Sequence, residues 1–101
     1  MLKLTGLRKD WSGNYRFYVR GTSDKLKDFT IDLAWYHSAL AQIWSTNDMN
    51  NGDVVLNLVV NVDSYKSEEL AEKNIRRLCD KHDVIGFATW DEYRENEKES
   101  A

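Results

Sequence analysis

The sequence predicts an α+β domain in two layers, a mixed, mostly antiparallel sheet of about five strands with two helices on one face. Three observations carry that class. VVLNLVVNVD sets Val54, Leu56, Leu58, Val60 and Val62 at alternate positions, the pattern of a strand with one apolar side. SYKSEELAEKNIRRLCDKHD then switches to helical spacing and VIGFATW switches back, so 54–90 reads as a strand–helix–strand unit and a right-handed parallel crossover. LKLTGLRKDW and NYRFYVRGT meet at Trp11-Ser12-Gly13-Asn14, where Gly and Asn suit a hairpin turn, and supply antiparallel neighbours.

Each element has its own warrant. In the second strand Tyr15, Phe17 and Val19 share one face, and Arg16, Tyr18 and Arg20 the other. Gly21-Thr22-Ser23-Asp24 reads as a turn. Phe29, Ile31, Leu33 and Trp35 alternate with Thr30, Asp32 and Ala34, which predicts a third strand at 29–35 and a short helix near 37–46. A single helix over 30–44 is the alternative, because Leu33, Tyr36, Leu40 and Ile43 also fit a helical stripe. STNDMNNGD, residues 45–53, is a turn cluster.

The second helix starts at a Ser64 or Ser67 cap, with Glu68 and Glu69 near its positive end and Arg76, Arg77 and Lys81 toward its negative end. Glu69–Lys73 and Glu72–Arg76 form i,i+4 pairs worth about 0.2–0.5 kcal/mol each. Ala71, Ile75, Leu78 and Cys79 make its buried stripe, with Leu70 at the edge. Val84, Ile85, Phe87, Ala88 and Trp90 form the last strand. Residues 1–93 are then one domain, and 94–101 a charged, frayed tail.

The chain has 101 residues, 42% of them apolar, enough for one core and too apolar for a disordered chain. Net charge is −3, but it is segregated. Residues 1–27 carry +5, residues 28–63 carry −5 with no Lys or Arg, and residues 91–101 carry −3. One cysteine, Cys79, rules out an intramolecular disulfide and fits a reducing compartment. No leader-like apolar run opens the chain and none is long enough to span a membrane, so a cytoplasmic protein without membrane association is expected.

No catalytic signature is present, and an enzyme is not expected. The five glycines are isolated, so no phosphate cradle and no cofactor is indicated. Cys79 and His82, with His37 and Asp83, sketch a zinc set, but structural zinc takes two close Cys/His pairs and only one exists, so no metal is expected. Cys79 on an apolar stripe is a poor nucleophile.

Binding is the remaining class. Four Trp, five Tyr and three Phe exceed what one small core holds. Trp35 and Trp90 are expected inside; Trp11, Tyr18 and Trp44 are the expected contact residues for a protein partner, since Trp, Tyr and Arg dominate interface hot spots. A homo-oligomer is compatible with the same surplus. In style the chain resembles the small inhibitors and adaptors of phages and mobile elements, which occupy the surface of a larger protein. The alternative is an RNA- or single-stranded-DNA-binding hairpin, with Lys3, Arg8, Lys9, Arg16 and Arg20 on phosphates and Tyr18 under a base. A minor branch is an acidic surface of Asp28, Asp32, Asp48 and Asp53 that imitates nucleic acid.

Overall fold

The computed structural model describes residues 6–48, 52–65, 67–89, 91–92 and 94. Its elements run β1 (Arg8–Lys9), β2 (Tyr15–Thr22), α1 (Ser23–Tyr36), β3 (Ala41–Asp48), β4 (Asp53–Val60), a short 3-10 turn (Val62–Ser64), α2 (Glu68–Lys81) and β5 (Ile85–Phe87). The strands join in one five-stranded sheet. β2 pairs with β4 along its whole length, and β3 pairs with the far side of β4. The other edge of β2 is shared, β1 taking Tyr15 and Arg16 and β5 taking Tyr18 to Arg20. All four pairings are antiparallel.

The α+β class holds, and the crossover is corrected in one respect. β4 and β5 both run antiparallel to β2, so they are parallel to each other, but β2 lies between them. α2 therefore carries the chain past a strand that was laid down earlier.

Residues 21–46 are the larger correction. The predicted strand at 29–35 is helix, and the predicted helix near 37–46 is strand, so the single helix over 30–44 also fails. Thr22 is an N-cap whose hydroxyl accepts from the Lys25 amide, not a turn residue. The same side-chain-to-backbone bonding serves turns and caps, and here the Leu26, Phe29 and Leu33 stripe decides for helix. Ser45 to Asp48, assigned to the turn cluster, pair with Asn57 to Val54 in β3. Gly52, with φ of +90°, takes the left-handed conformation before β4 begins.

Phe17 and Val19 of β2 and Leu56, Leu58 and Val60 of β4 face both helices, against Leu26, Phe29 and Leu33 of α1 and Ala71, Ile75, Leu78 and Cys79 of α2. Ser67, of the two candidate caps, is the one that caps α2, its hydroxyl accepting from Leu70 N at 3.1 Å.

α2 also holds a polar knot. Glu72, only 1% exposed, accepts from Arg76 Nε at 2.8 Å and from Gly6 N at 3.0 Å. Arg76 is itself buried, reaches both oxygens of Glu92 at 3.0 and 3.1 Å, and lies 5.4 Å over the Phe17 ring. The Glu72–Arg76 pair is thus no solvated i,i+4 contact. It ties the first and last described segments to the centre of the fold.

Candidate functional site

The outer face of the sheet, opposite α1 and α2, carries Arg16, Tyr18 and Arg20 because Phe17 and Val19 point inward. At one corner the β1–β2 turn is locked by Asp10. Its Oδ1 accepts from Ser12 N at 2.9 Å, Ser12 Oγ at 2.7 Å and Asn14 N at 3.0 Å. Its Oδ2 accepts from Arg16 Nε at 2.6 Å. The Ser12 hydrogen bond, followed by Arg16, holds the Asp10 carboxyl well below the usual range. Gly13, at φ of +87°, closes the turn. Trp11 sits on it, 98% exposed.

Arg16 joins that turn to β3. Its guanidinium carbon lies 5.1 Å from the Trp44 ring centroid, and Nη1 donates to Asn57 Oδ1 at 3.4 Å. The β3–β4 register shifts between Ile43 and Ser45, so Trp44 sits on a bulge, a device that re-aims a side chain. It comes out over Arg16 and stays 66% exposed. The corner therefore holds an arginine clamped by a carboxylate with one exposed indole over it, and a second exposed indole on the turn that the same carboxylate locks.

The other expected site residues fall as follows. Tyr18 lies on the same face but is half-buried, packed with Val55 and Phe87. Of the expected phosphate contacts, Lys3 lies outside the described residues. Arg8 and Lys9 are exposed on β1, with Lys9 Nζ 5.3 Å from the Tyr15 ring centre. Arg16 is bound to Asp10 and Arg20 to Asp53 at 3.1 Å, both side chains mostly buried. The pair placed at the centre of the nucleic-acid patch thus already has internal carboxylate partners.

The acidic group is divided. Asp53 answers Arg20, while Asp28 and Asp48 are exposed on α1 and at the end of β3. Asp32 is buried between the helices, accepting from Lys81 Nζ at 2.8 Å, with His82 Nε2 at 2.7 Å and His37 Nε2 at 3.8 Å. Lys81 first and His82 second hold its carboxyl below the usual range. Phe29 packs edge-on against the His82 ring, 5.9 Å between centroids. Cys79 is in the core, and burial pushes its thiol up to about 12, so it is not poised as a nucleophile. Among the described residues no three His, Cys, Asp or Glu side chains gather as a metal set.

Trp35, expected in the core, is 77% exposed, and Ile31 and Tyr36 of the same helix are also exposed. Trp90, the other expected core indole, lies outside the described residues. Sequence reasoning missed the exposure of Trp35 because an apolar side chain between apolar neighbours reads as interior.

No protein-family model, no curated protein and no solved structure matches this chain. No helix among the described residues is long and apolar enough to cross a membrane.

Proposed function

We propose that this domain is a non-catalytic protein-binding module, an inhibitor or adaptor that occupies the surface of a larger protein through the Trp11–Arg16–Trp44 corner. The carrying observation is the exposure of both indoles on a turn and bulge held rigid by Asp10 and Arg16. Large aromatic side chains give contact area at low entropy cost, and anchoring them before binding lowers that cost further. Trp flanking Arg is the composition that hot spots favour.

A pull-down with the intact chain, with and without nuclease and at two salt concentrations, tests this. A discrete protein partner that survives nuclease is expected, with Trp11→Ala and Trp44→Ala each weakening it by about 2 kcal/mol or more while thermal melts hold. Loss of every partner with nuclease would move the function to nucleic acid. Arg8→Ala and Lys9→Ala should then flatten the salt dependence.

A further inference from the structure

The Trp11–Arg16–Trp44 corner carries more positive charge than it answers. Arg8 and Arg16 are direct partners in the β1–β2 ladder, so both side chains leave the outer face, with Cβ atoms ~4.5–5.5 Å apart. Like charges directly opposite each other destabilise a ladder. Asp10 is the carboxylate at hand, and its oxygens are already engaged. Oδ2 takes Arg16 Nε, and Oδ1 takes three donors of the turn. Arg8 is exposed and makes no ion pair among the described residues.

The neighbouring strands bring no further acid to this face. Residues 41–46 of β3 and 57–60 of β4, which complete the corner, carry no charge. Asp48 and Asp53 lie at the other end of the sheet, opposite Val54 and Thr22. Lys9 turns to the inner face with Tyr15, whose hydroxyl donates to Glu68 and which also feels Asp63, so that cation has acidic neighbours of its own. A chain of net charge −3 thus sets an unanswered guanidinium at the corner that holds two exposed indoles. A guanidinium takes a carboxylate through two parallel hydrogen bonds, and indoles bury apolar side chains. A nucleic-acid strand instead asks for a row of cations. The row along β2 is closed, Arg16 by Asp10 and Arg20 by Asp53.

Resting on the reading of this corner as a protein-binding surface, we propose that its occupant is an acidic segment of the partner, with an Asp or Glu on Arg8 and apolar side chains against Trp11 and Trp44. Charge complementarity of this kind fixes which segment docks and speeds its arrival, while the indoles hold it.

A library of short random peptides, selected on the intact chain at low salt, tests this. The binders that Trp11→Ala loses should be enriched in Asp and Glu beside apolar residues. Arg8→Gln should weaken those binders at least about threefold and Arg8→Glu at least about tenfold, with unchanged thermal melts. Amides in place of the peptide's acids should weaken its binding to the wild type by a similar factor and change its binding to Arg8→Gln little, the mark of a direct pair. Added salt should weaken the acidic peptide more than its amide counterpart. Trp11-dependent binders without acidic enrichment overturn the acidic occupant and leave the corner a protein-binding surface. No Trp11-dependent binder at all overturns both. An oligothymidine that binds more tightly than any selected peptide, and loses affinity on Arg8→Gln, gives the corner to nucleic acid and overturns the acidic segment.

Discussion

The two helices are matched in length and differ in where they place apolar and charged side chains. Each has fourteen residues, a hydroxyl N-cap and a histidine C-cap, and each packs on the inner face of the sheet. α2 turns Glu68, Glu69, Lys73, Arg77 and Asp80 outward and buries Glu72 and Arg76. α1 also shows Asp24, Lys25, Lys27 and Asp28 in its first half, but it turns Ile31 and Trp35 outward in its second and buries Asp32. α2 thus spends its polar residues on holding the fold together, gathering Gly6 and Glu92 around one guanidinium. α1 leaves Ile31 and Trp35 exposed to water.

That contrast can be broken in graded steps. Arg76→Ala leaves the Glu72 and Glu92 carboxylates without their cation, and the loss of one partner from a buried pair costs about 3–5 kcal/mol; a urea melt reads it directly. Gly86→Ala tests how closely α2 lies on β5. A Cβ there would meet two atoms of the Phe17 ring at 2.7 Å and Cys79 Sγ at 3.1 Å, so overpacking of about 1–3 kcal/mol is expected in the same melt.

Asp32→Asn tests the joint between the helices. The folded-state value of Asp32 is depressed, so its contribution is present above the ordinary 3.8 and is lost as the pH falls through the folded value. The Asn variant should therefore be less stable than the wild type near neutrality and converge with it in acid, followed by melts across the acid range. The smallest effect belongs to Trp35→Ala, expected within about 0.5 kcal/mol of wild type. A large loss there would make α1 as structural as α2 and erase the contrast.

The same contrast explains what could be read in advance. In α2, the buried Ala71, Ile75, Leu78 and Cys79 recur at helical spacing only, so one periodicity is left. In α1, exposed Ile31 and Trp35 fill the alternate positions between and beyond Phe29 and Leu33, so a helix takes on the pattern of a strand. β3 was hidden for the complementary reason. Its Ser45 to Asp48 stretch lies on an edge, mostly exposed, and has no apolar face to alternate. The hairpin chemistry of Ser12-Gly13-Asn14 was local and legible, and so was the exposure of Trp11. That Arg16 would reach Trp44 depends on β4 lying between β2 and β3. Similarly, Glu72 and Arg76 announce a pair by spacing, but their burial comes from Gly6 and Glu92, which are distant in the chain.

Cys79 gives the molecule an internal clock. Its sulfur lies beneath the sheet beside Gly86, and burial pushes the thiol to about 12, so an alkylating reagent cannot react until α2 lifts away. With a single cysteine in the chain, the labelling rate of the intact protein counts the openings of this one packed layer, with no competing thiol to subtract. A ligand that grips the Trp11–Trp44 corner would slow that clock only so far as its grip is transmitted through the core.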